Sequence, residues 1–235
     1  MTNVTINAHD GGEFSGYLAL PEGADAANSK PAVIVIQEIF GVNAVMRTLT
    51  DWVASQGFIA LCPDLFWRQE PNIDITDQSD AEWRRAFELY QGFDQQLGVA
   101  DLSASADFLK KHPACNGKIG SIGYCLGGRL AYFTASRLQL DACVSYYGVA
   151  IEEYLNEIGN IRKPLLMHMA EKDGFVPPAA QALIAQAVAH HPQISLHIYE
   201  GVDHAFARTG GKHYNQEAAE LANSRSLHFL KQHLL

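Results

Sequence analysis

A nine-residue stretch near the middle of the chain has the residue types and spacing of a nucleophile held on a sharp turn. It reads Gly120-Ser121-Ile122-Gly123-Tyr124-Cys125-Leu126-Gly127-Gly128. The pattern predicts a strand, a tight turn that carries Cys125, and a helix over Leu126–Arg137. Glycine at positions 123 and 127 leaves space where a Cβ would collide with the neighbouring strand or helix. The sulfur would lie at the positive end of the helix, which favours the nucleophilic thiolate form.

Two other interpretations of this stretch do not involve a nucleophile. A lone buried cysteine usually behaves as a small apolar residue, and this is how we interpret Cys62, Cys115 and Cys143. A glycine-rich turn between a strand and a helix can also hold a phosphate. The spacing here is neither G-x-G-x-x-G nor that of a P-loop, and no Lys-Ser/Thr pair follows, so we favour the nucleophile.

An acid and a base follow Cys125 in the chain order that this architecture uses, which is nucleophile, acid, base. Asp173 lies 48 residues after Cys125, and His204 lies 31 residues further on. Each is predicted to lie on a loop at the carboxyl end of a strand, on the same side of the sheet as Cys125. The sequence therefore predicts a Cys125–Asp173–His204 triad.

Both assignments have alternatives within the chain. Asp173-Gly174 is also an ordinary turn signal, and the chain contains ten histidines. Asp203 is a rival acid, but adjacent residues on a loop rarely point at one another. The prediction therefore depends on the combination of three residues in order rather than on any one of them.

Strands and helices alternate along the chain in a way that would position these loops. Such alternation indicates an α/β protein, an α/β-hydrolase fold with a mostly parallel central sheet, helices on both faces and an antiparallel N-terminal hairpin at one edge. Residues 1–235 are predicted to form a single domain. The predicted strands are Val4–Ala8, Phe14–Leu20, Ala32–Gln37, Phe58–Cys62, Lys118–Ile122, Ala142–Tyr147, Pro164–Met169 and Ser195–Tyr199. The predicted helices are Asn43–Gln56, Asp80–Tyr90, Phe93–His112, Leu126–Arg137, Ala179–His190 and Glu217–Leu234.

The charge balance and the longest apolar runs exclude several classes of partner. The chain has 17 Lys+Arg against 26 Asp+Glu, a formal charge of −9, which argues against binding nucleic acid or an anionic membrane. Taken alone, this charge would also disfavour anionic small substrates. The longest purely apolar runs, Ala32–Ile36 and Phe58–Cys62, hold five residues each and are too short to span a membrane.

Other expectations concern location, metals and cofactors. The first basic residue is Lys30, so we expect no signal peptide, and we expect four reduced cysteines and a cytoplasmic location. There is no HExxH motif or Cys/His cluster with ligand spacing, so we expect no metal and no cofactor. Nothing in the sequence indicates an obligate protein partner, and the expected partner is a small molecule.

Five stretches, in order across nearly the whole chain, resemble the dienelactone hydrolase family of α/β-hydrolases. They are Gln37-Glu38-Ile39-Phe40-Gly41-Val42-Asn43, Cys62-Pro63-Asp64-Leu65, Gly123-Tyr124-Cys125-Leu126-Gly127-Gly128, Tyr146-Tyr147-Gly148-Val149 and His204-Ala205-Phe206-Ala207-Arg208. The resemblance implies a cysteine hydrolase that opens a cyclic enol-lactone of the 4-carboxymethylenebut-2-en-4-olide type through an acyl-thioester. It implies Cys125 as nucleophile, His204 as base and Asp173 as its orienting acid. It also implies an oxyanion hole made by the backbone N–H groups of Leu126 and Ile39.

The resemblance also directs attention to Glu38. A carboxylate close to Cys125 would disfavour the thiolate. Our hypothesis is that Glu38 keeps the thiol neutral at rest or accepts its proton. A substrate carboxylate would then compete for the arginine partner of Glu38 and release the thiolate. The alternative is that Glu38 makes a purely structural ion pair.

Substrate recognition is where this sequence departs from the family. The resemblance implies two arginines that bind a substrate carboxylate, and one of them matches Arg208. The other position aligns with Trp83, while Arg84 and Arg85 follow directly, and one residue along a helix rotates the side chain by about 100°. Either a shift in register restores an arginine, or the pocket takes a less charged substrate. Arg84 and Arg85 could instead lie on a solvated helix face.

Three other functions are compatible with the sequence. The first is a carboxylesterase or lactonase of the same fold that acts on a different or less anionic ester. The second is a non-catalytic relative that binds ligands in the same pocket. The third is a redox-sensing thiol, although no resolving cysteine lies near Cys125 in the sequence.

Overall fold

The computed structural model describes residues 2–235, and its central element is an eight-stranded β-sheet. The strands are β1 (Thr2–Asn7), β2 (Glu13–Ala19), β3 (Lys30–Ile36), β4 (Ile59–Pro63), β5 (Cys115–Tyr124), β6 (Ala142–Tyr146), β7 (Leu165–Ala170) and β8 (Ile194–Tyr199). The helices are α1 (Ala44–Ser55), α2 (Asp80–Gln91), α3 (Gln95–Lys111), α4 (Leu126–Phe133), α5 (Pro178–Val188) and α6 (Gln216–Leu234). The strand order is β1-β2-β4-β3-β5-β6-β7-β8.

Antiparallel pairing is found at one edge of the sheet and parallel pairing further in. β1 pairs with β2, and β2 pairs with β4, in antiparallel register. β3 pairs with β4, β6 with β7, and β7 with β8 in parallel register. The predicted α/β-hydrolase fold, with a mostly parallel sheet and an antiparallel hairpin at its edge, is therefore confirmed.

The chain forms two compact units, one ending at Ser121 and the other beginning at Ile122. In the first unit every residue of β4 is buried, as is all of β3 after Lys30. In the second unit β6, β7 and α4 are buried along their whole length, whereas β8 is largely accessible. Continuous apolar strands of this kind are typical of parallel sheets that are covered on both faces.

Three local features differ from the sequence prediction. β5 begins at Cys115, before the predicted start at Lys118. The prediction missed the first residues of the strand because residues 116–118 are exposed and carry no apolar signal. The predicted helix Leu126–Arg137 is regular only to Phe133 and continues as a π-helical turn, Thr134–Leu138. A 3₁₀ segment, Ile151–Asn160, was not predicted, and it is interrupted by non-helical backbone angles at Tyr154. No helix within residues 2–235 is long and apolar enough to cross a bilayer.

Candidate active site

Cys125 occupies a strained turn between the end of β5 and the start of α4. Its backbone angles are φ 57° and ψ −115°, which a residue with a side chain rarely adopts. The conformation is held from both sides, because the Cys125 N–H donates to the carbonyl of Tyr146 at 3.1 Å and its carbonyl accepts from the N–H of Arg129 at 3.2 Å. This is the geometry of a nucleophile elbow, in which strain presents the side chain at the end of the strand.

Two glycines around the elbow are required by close backbone approaches. A Cβ on Gly123 would lie 1.9 Å from the carbonyl oxygen of Gly127, well inside van der Waals contact. A Cβ on Gly128 would lie 2.5 Å from the carbonyl oxygen of Tyr146. Because these neighbours are backbone atoms, they cannot move aside without displacing α4 or β6. The collision expected from the sequence is therefore present in the structure at position 123.

Asp173, which follows β7, and His204, which follows β8, are joined by a two-point contact. His204 Nδ1 lies 2.9 Å from Oδ2 and 3.0 Å from Oδ1 of Asp173. Oδ1 also accepts the backbone N–H groups of Phe175 at 2.8 Å and Val176 at 3.2 Å. Both side chains are buried. The carboxylate is thus fixed by its own loop and in turn fixes the orientation of the imidazole.

The protonation of His204 is set by opposing effects. Burial by itself lowers its pKa, but the negative charge of the Cys125 thiolate and the hydrogen bond to Asp173 raise the pKa to about 10. The second ring nitrogen, Nε2, is buried and makes no hydrogen bond within residues 2–235. Cys125 acts on the ring mainly through its charge, and the arrangement favours the imidazolium form of His204.

Two aromatic rings enclose the imidazole of His204. Tyr147, at the end of β6, packs edge-on with its centroid 5.0 Å away, and Phe175 does the same at 4.8 Å. Tyr147 is buried and has a positive φ of 37°, whereas half of the Phe175 surface is exposed. Tyr147 belongs to the Tyr146-Tyr147-Gly148-Val149 stretch of the family resemblance, whereas Phe175 lies in none of the five stretches and only its position after β7 could have indicated it.

Asp203, the rival acid, makes no hydrogen bond to the His204 ring among the described residues. Its Oδ1 instead accepts the backbone N–H groups of His204 at 2.6 Å and Gly174 at 3.1 Å. Its Oδ2 lies 3.0 Å from Nδ1 of His213. Burial opposes ionisation of Asp203, but the two N–H groups and the neighbouring histidines outweigh it and lower the pKa. The two aspartates therefore have separate structural roles.

A chain of hydrogen bonds joins α6 to Tyr199 on β8, His168 on β7 and Tyr146 on β6. Its members, in order, are Arg225, Tyr199, His168, Ser226, Tyr146 and Asn223, at successive distances of 3.2, 2.8, 2.9, 2.7 and 2.9 Å. Because Tyr146 donates its one proton to Asn223, Ser226 must donate to Tyr146 and accept from Nε2 of His168. In neutral His168 the other nitrogen, Nδ1, then accepts from Tyr199. Burial lowers the pKa of His168 well below its usual value, helped by the charges of His197 and Arg225. His168 is therefore neutral, with its proton on Nε2.

In the first unit, the loop that carries Glu38 and Ile39 is firmly held. The Gln37 side chain accepts the N–H of Leu65 at 3.0 Å. Gly41 has φ 76°, and a Cβ there would lie 1.9 Å from the carbonyl oxygen of Ile73. Glu38 and Ile39 are 3% and 5% exposed, respectively. This loop therefore has little freedom to reposition an N–H group or a carboxylate.

Trp83 and Arg84, the two candidates for the altered substrate contact, have different surroundings in α2. The Trp83 ring packs edge-on against Phe40 at 5.1 Å and stacks on Phe87 at 5.5 Å. Arg84 is exposed and makes no ion pair within residues 2–235, while Arg85 pairs with Glu70 and Glu88. Since Phe40 directly follows Ile39 in the chain, the geometry favours Trp83 over Arg84 as the residue beside that loop.

Arg208 lies four residues after His204 and is buried, with 7% of its surface exposed. The turn that places it is closed by a hydrogen bond from its N–H to the carbonyl of Ala205 at 2.9 Å, and Ala205 has a positive φ of 62°. A buried guanidinium close in sequence to His204 is suited to binding an anionic group. Within residues 2–235, no three His, Cys, Asp or Glu side chains are grouped so that they could hold a metal ion.

The fold and the elbow together define an α/β-hydrolase. A model of the family described as the dienelactone hydrolase family matches residues 14–234. The chain belongs to this family, and it is a hydrolase that acts on esters.

Individual relatives and structures agree with this assignment. A presumed carboxymethylenebutenolidase of Azospirillum brasilense is 48% identical over the full length of both chains. The carboxymethylenebutenolidase of Pseudomonas putida is 40% identical, covering 97% of this chain and 94% of that protein. The crystal structure of a presumed dienelactone hydrolase from Klebsiella pneumoniae superposes with a TM-score of 0.84 at 27% identity, covering 99% of this chain and 100% of that one.

Proposed function

We propose that this protein opens cyclic enol-lactones with Cys125 as nucleophile, His204 as acid and base, and Asp173 as the group that orients His204. The observation that carries the proposal is the His204 imidazole, which is bonded to Asp173 through Nδ1 and influenced by the Cys125 thiolate. The names of the relatives from Pseudomonas putida and Azospirillum brasilense support a carboxymethylene-substituted butenolide as the substrate class.

In the first half of the reaction, the Cys125 thiolate attacks the lactone carbonyl carbon. The carbonyl π electrons move to oxygen, and the oxyanion accepts hydrogen bonds from backbone N–H groups. We assign these donors to Leu126, the first residue of α4, and to Ile39. The Leu126 N–H has no acceptor within its own helix because it belongs to the first turn. Collapse of this intermediate breaks the ring C–O bond and expels an enolate that remains tethered through the new acyl-thioester.

In the second half, a water molecule hydrolyses the thioester. The His204 imidazolium gives its proton to the enolate, which becomes the ketone, and the neutral imidazole then takes a proton from the attacking water. Cleavage of the C–S bond releases the acid and regenerates the thiolate and the imidazolium. A resonance-stabilised enolate leaves without prior protonation, so thiolate attack is productive on enol esters and poorly suited to amides.

Glu38 and Arg208 are proposed to adapt this site to an anionic substrate. Arg208 would bind the substrate carboxylate. Glu38 would keep the thiol neutral at rest or accept its proton, and the arriving carboxylate would compete for the arginine partner of Glu38 and so release the thiolate. Trp83 in place of a second arginine would leave an aromatic contact where a second positive charge is expected. We therefore propose a substrate that carries one recognised carboxylate, with a planar apolar portion contacting Trp83.

A second candidate function is an esterase that acts on a less anionic ester. The observation that favours it is the packing of Trp83 against Phe40, since an apolar surface beside the loop that carries Ile39 does not require a charged substrate. The catalytic steps would be the same, and only the recognition of the acyl group would differ.

Trapping of the acyl-enzyme tests the nucleophile. The protein is mixed with a p-nitrophenyl ester or an enol-lactone, quenched in acid within the first turnover, and digested for peptide mass spectrometry. We expect an acyl adduct on the peptide that contains Cys125. Turnover at the wild-type rate in Cys125→Ala, or an adduct confined to another residue, would show that the proposed nucleophile is wrong.

Cys115→Ala is the matched control for that experiment. Cys62, Cys125 and Cys143 are buried, and Cys115 is the more accessible thiol. It lies at the start of β5, ten residues before the elbow. Cys115→Ala should retain both the burst of p-nitrophenol and the adduct on Cys125.

A further inference from the structure

The loops that carry Asp173 and His204 are tied together by the second aspartate, Asp203. Its Oδ1 accepts the N–H of His204 and the N–H of Gly174, which adjoins Asp173. One oxygen atom thus bridges the backbone next to the acid and the backbone of the base. In the same region, the side chain of Asp173 holds the imidazole ring itself.

From this arrangement we propose that Asp203 is a positioning residue for catalysis, which sets the distance between Asp173 and His204 by bridging their backbones. The inference rests on the proposed function, because it requires His204 to be the base and Asp173 its partner. It goes beyond that function by assigning a catalytic consequence to a carboxylate that contacts no reacting atom.

Other bonds between the two loops show why a single oxygen atom can be decisive. Glu171 N–H donates to the carbonyl of Tyr199 at 3.0 Å, and Lys172 N–H donates to the carbonyl of Val202 at 2.9 Å. These two bonds continue the pairing of β7 with β8 and fix the loops up to residue 172. Beyond residue 172, the loops are joined by the contact of Asp173 with the His204 ring and, after Asp173 in the chain, by the hydrogen bond from the Gly174 N–H to Asp203.

The other carboxylate oxygen of Asp203 has a partner outside the bridge. Its Oδ2 pairs with His213, and both side chains are partly exposed, 37% for Asp203 and 42% for His213. Since exposed ion pairs of this type contribute little energy, His213 is not expected to be needed for the bridge. The bridge requires only that one oxygen atom accepts two N–H groups, and an uncharged amide oxygen can also do this.

Three substitutions separate the bridge from the charge. In Asp203→Ala both N–H groups lose their acceptor, and we expect kcat for p-nitrophenyl acetate and for an enol-lactone to fall about 10- to 100-fold with KM changed less than about threefold. Asp203→Asn retains a side-chain oxygen in the same place and should restore kcat to within about threefold of wild type. His213→Ala should behave as wild type. If Asp203→Ala does not fold, Asp203→Glu, whose acceptor is displaced by one methylene, takes its place and should lower kcat likewise.

A spectroscopic measurement reports the geometry directly. The Nδ1 proton of His204, hydrogen-bonded to Asp173, should give a downfield proton resonance that is lost in His204→Gln. We expect this resonance to broaden or move upfield in Asp203→Ala and to persist in Asp203→Asn. Unchanged kcat and an unchanged resonance in Asp203→Ala would overturn the proposal, and so would equal losses in Asp203→Ala and Asp203→Asn.

The outcomes distinguish this inference from the proposed function. If Asp173→Asn and His204→Gln retain wild-type turnover, the triad itself is wrong, and the role of Asp203 fails with it. If those two variants are inactive while Asp203→Ala is fully active, the triad stands, and only the positioning role is wrong.

Discussion

Asp173 holds His204 through two carboxylate oxygens, at 2.9 and 3.0 Å from the same ring nitrogen. The contact lies in the interior, where both groups are nearly inaccessible to water. A buried carboxylate that accepts three N–H groups favours the positively charged imidazole next to it. The preference of His204 for its imidazolium form follows from this geometry.

The pKa of His204 provides the first prediction. Its value, raised to about 10, means that the ring should remain protonated at pH 8, where a free histidine is neutral. In Cys125→Ser the neutral hydroxyl replaces the thiolate, so the pKa of His204 should fall. Titration of the ring by NMR measures both. A wild-type pKa near 6.5 would contradict the assignment.

The second prediction concerns His168 and the pH dependence of stability. Its pKa in the folded protein is well below 6.5, so the unfolded chain binds a proton that the folded protein does not. Stability contributed by His168 is therefore lost as the pH falls below 6.5. One such group accounts for about 1.4 kcal/mol between pH 7.5 and 5.5.

The variant His168→Asn separates the contribution of His168 to this pH dependence from those of the other histidines. Asparagine can still donate and accept hydrogen bonds but does not titrate. Compared with wild type, its free energy of unfolding should lose about 1.4 kcal/mol less between pH 7.5 and 5.5. An identical pH dependence in the two proteins would show that His168 is not the neutral buried group described above.

Gly123→Ala tests whether the elbow requires a close backbone approach. The new Cβ would lie 1.9 Å from the carbonyl oxygen of Gly127, so we expect destabilisation on the order of 3 kcal/mol and loss of activity. Gly159→Ala is the matched control, because no atom lies within 4 Å of its added Cβ. Thermal unfolding and esterase assays of both variants check the prediction, which is wrong if the two variants behave alike.

Glu38→Gln tests the proposed control of the thiol. Removal of the charge should increase the rate at which iodoacetamide alkylates Cys125 in the absence of substrate. Turnover of a carboxylated lactone should change as well, because the substrate no longer displaces a charged partner. Unchanged alkylation and unchanged turnover together would show that Glu38 does not control the thiol and has only a structural role.

Arg208→Ala tests recognition of the substrate anion. With a lactone that carries a carboxylate, kcat/KM should fall by about 10- to 100-fold, the range expected for loss of a charged hydrogen bond. The loss should be much smaller for the neutral analogue. Arg84→Ala is the control, since Arg84 is exposed and makes no ion pair within residues 2–235. Equal losses for both lactones would argue against a carboxylate contact.

Much of this molecule was determined by local sequence. The buried strands and their order in the chain were predictable, because continuous apolar runs separated by helical periodicity specify a parallel sheet. The elbow was predictable as well, since glycine at position 123 allows a backbone approach that other residues would prevent. Chain order then selected Asp173 and His204 from among many carboxylates and ten histidines.

Other features depend on distances that no local pattern encodes. Asp203 has the same side chain as Asp173 and adjoins His204, and only the fold directs its carboxylate to the N–H groups of Gly174 and His204. The neutral state of His168 likewise depends on partners from β8 and α6. The net charge of −9 describes the whole chain, whereas the protonation of His204 is decided by two neighbours. Sequence determined which groups are available for chemistry, and tertiary structure determined their hydrogen-bond partners and charge states, because these depend on distances between residues far apart in the chain.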